Sequence, residues 1–374
     1  MRHFTCVISD VHLSPIIEDE RMPYRGRAFA PDEELSRTID RAVQVARQSD
    51  GTLEIVLGGD VFDLDVPISC EEIRLCARTI DARSLSGAAA ILGRTLADHP
   101  AFTLALRRAI AGGARLVVLP GNHDAQLALR SPREVLRRAV GEVVFRSWCH
   151  VTDDDLVLVE HGHQYDPLCR LSCLTPDRRA EDTVGTVSSF YAPILFPDLD
   201  PFAIDPFAER RSVVASLKEA LQRGGAGGVA TCVRDLLSAT MDRPVPTPAP
   251  ELAAEIGVDP QIVGLRQQLF APKASVEELL HAALGSVDYG QSVEAAMLLA
   301  MTTATDVHGV KVAVVGHTHA PGQATLLNGA TLLNSGSWTP RRDPQRPVGS
   351  YAWIVSNGGH IVDASVQSVF RGRP

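Results

Sequence analysis

Five short apolar runs punctuate this chain, and each stops at a polar cluster. Residues 4–9 lead to Asp10-Val11-His12, 53–57 to Gly58-Gly59-Asp60, and 115–119 to Pro120-Gly121-Asn122-His123-Asp124. Residues 155–160 lead to His161-Gly162-His163, and 310–315 to Gly316-His317-Thr318-His319. Continuous apolar runs of about four to eight residues, bounded by turn formers, read as strands buried on both faces. Leu35, Ile39, Ala42, Val43 and Ala46 recur at helical spacing across 31–48. Residues 71–112, rich in Ala, Leu and Arg, read as two or three helices, and 132–140 as another. Asn328-Gly329 and Asn357-Gly358 are hairpin signals in a C-terminal stretch that alternates strand and turn.

In open α/β sheets, ligands bind beyond the carboxyl ends of the strands, so five polar clusters at five such ends should converge on one place. Gly, Asp and Asn end strands as turn residues anyway, which accounts for any one cluster. It does not account for histidine in four of the five, because histidine is not a favoured turn former. Asp10, His12, Asp60, Asn122, His161, His317 and His319 together offer oxygen and imidazole donors, a mixture suited to Mn²⁺, Fe, Zn²⁺ or Mg²⁺. Seven donors exceed the three or so protein ligands of a single open catalytic metal. They match two cations sharing one carboxylate, and Asp60, at a tight Gly-Gly turn, is the candidate bridge.

These blocks, in this order and each after a strand, resemble the five motifs of the calcineurin-like metallophosphoesterase superfamily: Asp10-Val-His12, Gly59-Asp60-Val-Phe-Asp63, Gly121-Asn122-His123-Asp124, His161-Gly162-His163 and Gly316-His317-Thr318-His319. The likeness covers roughly 4–165 and 310–370. It implies an α/β fold of two packed β-sheets flanked by helices, with a dimetal site at their rim. It implies one metal held by Asp10, His12, Asp60 and His319, and a second held by Asp60, Asn122, His161 and His317. It further implies hydrolysis of a phosphate ester or pyrophosphate bond by in-line attack of a metal-bridging hydroxide. Mn²⁺ heads the implied metals. His123 matches the family's non-ligand histidine, a proton donor to the leaving group or a clamp on the phosphate, and Asp63 resembles the carboxylate that pairs with it. Asp124 and His163 are read as groups that orient ligands, with a turn role as the alternative for His163. His99 and His150 are expected to be packing or surface histidines.

The length of 374 residues fits two domains or one with an insertion. About 150 residues separate His163 from Gly316, far more than a strand–helix connection needs. The catalytic domain is therefore expected to comprise 1–165 and 308–374, with 166–307 an inserted, mainly helical cap contributing to substrate choice. Within it, 209–223, 229–241, 260–270, 276–284 and 291–303 read as short helices. The Pro-rich aromatic segment 189–207, with Phe190, Tyr191, Phe196, Phe202 and Phe207, could line a pocket, touch a membrane or anchor the cap. Arg130, Arg170, Arg341 and Arg342 lie close in sequence to the blocks and are candidate phosphate clamps, with exposed surface arginine as the plain alternative.

Composition narrows the partners. Hydrophobic residues at 45% and charged residues at 22% exclude a wholly disordered chain. A net charge of −9 and no basic run disfavour nucleic acid, so a nuclease is a weaker alternative, as is a non-catalytic relic of the fold. The expected partner is a phosphorylated small-molecule or lipid-like substrate. Seven scattered cysteines read as reduced thiols. With no signal peptide or membrane span visible, a cytoplasmic location is expected, peripheral membrane contact remaining open.

Overall fold

The computed structural model describes residues 1–18, 26–27, 30–64, 87–128, 130–146, 149–166, 289–339 and 347–370. In the first half, β1 (Arg2–Ile8), α1 (Asp32–Gln48), β2 (Thr52–Gly58), α2 (Ala88–Asp98), α3 (Pro100–Ala111) and β3 (Arg115–Leu119) follow one another. After them come α4 (Arg130–Val140), β4 (Val144–Phe145), β5 (Cys149–Val151) and β6 (Val157–Glu160). The second half holds α5 (Tyr289–His308), β7 (Val312–Val315), β8 (Gly322–Thr325), β9 (Thr331–Asn334), β10 (Gly349–Asn357) and β11 (His360–Val369). No described helix is long and apolar enough to cross a membrane.

The strands form two sheets, ordered β11-β10-β1-β2-β3-β4 and β5-β6-β7-β9-β8. β1 to β4 run parallel, as do β6, β7 and β9, so their carboxyl ends share one edge of each sheet. Alternate side chains explain why the runs are apolar throughout. Val7, Val56, Val117, Val157, Val159, Val312 and Val314 point into the space between the sheets. Cys6, Ile8, Ile55, Leu57, Leu116 and Val118 point the other way, onto α1 to α4. Leu158, Ala313 and Val315 face α5 across the second sheet. The result is helix, sheet, sheet, helix, in keeping with the two packed sheets flanked by helices that the resemblance implied.

Local chemistry sets the helix limits. Asp32, Glu33 and Glu34 occupy the first turn of α1, where acids complement the helix dipole, and Leu35, Ile39, Ala42 and Ala46 are its buried stripe. Two expected strands start later than their apolar runs. Asp155 N–H closes a turn onto the Thr152 carbonyl, which holds β6 back to Val157. Val310 N–H is spent on the Thr305 carbonyl at the end of α5, so β7 begins at Val312. Both Asn-Gly signals are hairpins, between β8 and β9 and between β10 and β11. Of the helices expected in 71–112, the described part holds α2 and α3.

One expected cap helix belongs elsewhere. The segment expected at 291–303 is the core of α5, and its Val293, Met297, Ala300, Met301 and Ala304 are buried against the second sheet. A helix with that apolar stripe, beside a sheet face of Leu158, Ala313 and Val315, is the outer layer of the sandwich. Residues 167–288, with the other expected cap helices and the aromatic segment, lie outside the described residues.

Met301 is fully buried in that layer. Met301→Ala should lower the stability of the whole sandwich by about 2–5 kcal/mol. Urea unfolding followed by circular dichroism would show one cooperative transition shifted to lower denaturant; an unshifted main transition would place α5 outside the sandwich.

Candidate metal centre

The polar residues after β1, β2, β3, β6 and β7 meet at one rim, and the backbone is bent to bring them there. Among the described non-glycine residues with positive φ are Asp10 (51°), His12 (57°), Asp60 (50°), His317 (66°) and His319 (57°). Such left-handed positions cost roughly 1–3 kcal/mol each and persist only where the surroundings over-determine them. Here the loops hydrogen-bond one another. Asp10 N–H reaches the Gly59 carbonyl at 3.0 Å, Val11 and His12 N–H reach that of Asp60 at 2.9 and 3.0 Å, and Gly316 N–H reaches that of His161 at 2.9 Å. The motif glycines are explained by close approach. A Cβ at Gly121 would land on the Asp60 carboxylate, and one at Gly316 on that of Asp10.

Asp124 ties two of these loops together. Its carboxylate accepts N–H groups from Asp60 (3.1 Å), Val61 (2.9 Å) and Phe62 (3.3 Å), and from Gly121. The segment after β9 supports Asp10 from the other side. Ser9 donates to the Asp10 carboxylate and lies 2.7 Å from Ser335 Oγ, while Ser337 Oγ and Trp338 N–H bond the Asp10 carbonyl at 3.1 and 2.9 Å.

Two groups of donors result. Asp10, His12 and His319 present ligand atoms within 4.8 Å of one another, and so do Asp60, His161 and His317. In the first, His12 Nε2 is 3.1 Å from His319 Nε2, which is 3.3 Å from Asp10 Oδ1. In the second, His161 Nε2 lies 3.1 Å from Asp60 Oδ2. Asp60 Oδ1 accepts His123 N–H at 2.8 Å. Asp10, Asp60, Asn122, His161 and His317 are buried, whereas His123 and His319 are partly exposed and mark the solvent side.

Electrostatics favour the ionised form of Asp60 and Asp10 but not of Asp124. Burial would raise Asp60, but the imidazoles of His161 and His123 hold it well below the usual carboxylate range. Asp10 is likewise lowered, burial being outweighed by His161 and His319. Burial would lower His161, yet the charges of Asp60 and Asp10 push it up to about 9. Burial and the charge of Asp60 push Asp124 up to about 7, against its N–H donors.

The donor set fits divalent cations. His12 Nδ1 faces Asp63 Oδ1 at 2.8 Å and His161 Nδ1 faces the Gly58 carbonyl at 3.0 Å, so Nε2 is the ring atom that each turns toward the other donors, His319 and Asp60 respectively. Buried Asn122 Oδ1 has no hydrogen-bond partner, a costly state for a polar atom that a bound cation relieves.

The other expected site residues distribute unevenly. Asp63, expected to serve His123, is hydrogen-bonded to His12, and His12, Asp63 and His123 share a third cluster within 4.8 Å. The carboxylate therefore acts on a proposed ligand as well as standing by the proposed acid. His163 is buried, with its ring centroid 5.3 Å from that of His161, and its Nδ1 has no hydrogen-bond partner. Arg130 pairs with Glu134 at 2.7 Å and is 91% exposed, which makes it a surface arginine and corrects its candidacy as a phosphate clamp. Arg170, Arg341 and Arg342 lie outside the described residues. His99 bridges Asp32 and the Ser14 carbonyl at 2.8 and 2.9 Å, and His150 bonds Glu54 at 2.9 Å, both as packing histidines. Asp166 lies 3.0 Å from His317 Nε2 and belongs to none of the five sequence motifs.

No protein-family profile matches the chain, and no curated protein matches it. Among solved structures, it is similar to the sulfate thiohydrolase SoxB of Thermus thermophilus in complex with glycerol, at 12% identity and a TM-score of 0.35. That alignment covers 98% of this chain and 56% of SoxB, so the chain spans little more than half of that protein.

Two outcomes follow from the geometry. Asp124→Ala strands the buried N–H groups of Asp60, Val61, Phe62 and Gly121, and should cost about 3 kcal/mol or more in urea unfolding; a loss under about 1 kcal/mol would mean water replaces the carboxylate. His161, raised to about 9 in the folded chain from an ordinary value near ~6.5, stabilises it fully below pH ~6.5. That contribution disappears as pH rises through about 9. The melting temperature of chelator-treated protein should therefore fall between those pH values while Mn²⁺ affinity rises. His161→Gln should flatten the thermal trend, and an equally steep trend in that variant would assign it elsewhere.

Proposed function

We propose that this protein is a dimetal-dependent phosphohydrolase that cleaves a phosphate ester or pyrophosphate bond in a phosphorylated small-molecule or lipid-like substrate. One observation carries the reading: six of the seven oxygen and imidazole donors gather in two clusters at the strand ends, and the seventh, Asn122, has a buried Oδ1 with no hydrogen-bond partner.

In this reading Asp10, His12, Asp60 and His319 hold one cation, and Asp60, Asn122, His161 and His317 the other. Mn²⁺ is the first candidate, with Fe, Zn²⁺ or Mg²⁺ compatible with the same donors. Two such cations, when bound, supply water activation at neutral pH and charge neutralisation on the phosphoryl oxygens. Asp60 suits the shared position because it stays ionised, with His161, His123 and His12 all close enough to favour its charge.

The remaining work falls to the protein's own groups. In this reading His123, partly exposed, donates a proton from its ring to the departing oxygen. Asp63 stands in its cluster and favours imidazolium, the form that can donate. Asp63 also keeps the proton of His12 on Nδ1, so that Nε2 remains a donor to a cation. Asp124 and Ser9 hold the loops of Asp60 and Asp10 in place without contacting substrate. The expected insertion follows directly on Asp166, which lies 3.0 Å from His317. We assign substrate choice to that insertion.

Asp60→Asn should lose bound metal and turnover together, measured by elemental analysis and phosphate release; retention of both ions would refute the bridge. His123→Ala should keep both ions yet slow hydrolysis of an alkyl phosphate by about 10²–10⁴-fold. A nitrophenyl ester, which needs little protonation, should be spared, and an equal loss on both substrates would remove His123 as the acid.

A further inference from the structure

His317 differs from the other buried imidazoles of the site in which nitrogen is engaged. His12 and His161 present Nδ1 to an acceptor, Asp63 and the Gly58 carbonyl, and Nε2 to the other donors of the rim. His317 does the reverse, with Nε2 3.0 Å from Asp166 Oδ2 and both side chains buried. A carboxylate can only accept in such a pair, so the ring proton sits on Nε2 and the lone pair is left on Nδ1, in a ring that shares a cluster with Asp60 and His161, one ligand atom of each lying within 4.8 Å of the others.

From this geometry we infer that Asp166 is a positioning residue for the second cation, fixing the tautomer and the orientation of His317. The inference deepens the dimetal reading and rests on it.

Local structure delivers Asp166 to that point. Gly162 turns the chain in the left-handed region (φ 108°), a short 3₁₀ turn runs over His163–Tyr165, and Asp166 N–H closes it onto the His163 carbonyl at 3.1 Å. Gln164 Oε1 accepts Gly162 N–H at 2.8 Å, and Tyr165 Oη donates to Glu160 Oε2 at 2.8 Å. One six-residue stretch, 161–166, therefore supplies a proposed ligand at its start and the partner of another at its end. Asp63 does for His12 what Asp166 does for His317, so each cation has one imidazole backed by a carboxylate. Such outer partners typically govern metal affinity by about 10–100-fold.

The test uses the full chain, labelled with ¹⁵N-histidine and loaded with Zn²⁺. Wild type should bind two Zn²⁺ in calorimetry and show a hydrogen-bonded, slowly exchanging His317 Nε2–H. Asp166→Leu should weaken one of the two ions by about 10–100-fold and lose the protected signal. Asp166→Asn, which keeps an acceptor, should stay near wild type. Two ions bound at wild-type affinity by Asp166→Leu, a His317 protonated on Nδ1, or an Asn variant as weak as Leu would each overturn the inference while leaving the dimetal reading intact. Failure of wild type to bind Zn²⁺, Mn²⁺ or Mg²⁺ would remove both. Should Asp166→Leu not fold, the wild-type Nε2–H signal and the Asn variant decide.

Discussion

A carboxylate removed from water stays charged only if its surroundings replace the lost solvation, and Asp60 is in that position at 2% exposure. Its replacements are specific: the His123 N–H on Oδ1, the His161 ring at Oδ2, and nearby imidazoles whose positive potential outweighs burial. Asp10, Asp63 and Asp124 are buried within the same rim, so the local density of negative charge is high. A rim of that kind is stable only when donors and cations are held at fixed distances. The sandwich supplies that rigidity, because each loop continues directly from a strand buried on both faces.

That requirement also accounts for the strain. Left-handed Asp10, His12, Asp60, His317 and His319 would be unfavourable in free loops. They persist because the loops cross-bond through backbone groups and through Asp124, which gathers N–H donors from two strand ends at once. Motif glycines at 121 and 316 are the counterpart. They remove the Cβ atoms that would otherwise occupy the space of the Asp60 and Asp10 carboxylates.

Layer assignment depended on surface complementarity rather than on sequence position. The α5 segment follows residues expected from the sequence to form an insertion and reads locally like any amphipathic helix. Its Met297, Ala300, Met301 and Ala304 stripe finds a matching apolar sheet face, and burial there is worth more than continuity with the preceding chain. Asp63 and Asp166 show the same principle among polar groups. Each lies a few residues from one proposed ligand in sequence and bonds a histidine far from it, His12 and His317 respectively.

The sequence by itself determined which segments are doubly buried strands, because a run apolar on alternate and intervening positions alike has no other stable place. It also determined the donor chemistry, since Asp, Asn and His at successive strand ends must converge once the strands lie parallel. Tertiary structure alone decided which nitrogen of each histidine is free, which carboxylate backs which ring, and that Arg130 turns to solvent and Glu134. Those outcomes depend on distances of about 3 Å between residues remote in the chain, set by loop geometry that local residue preferences do not encode.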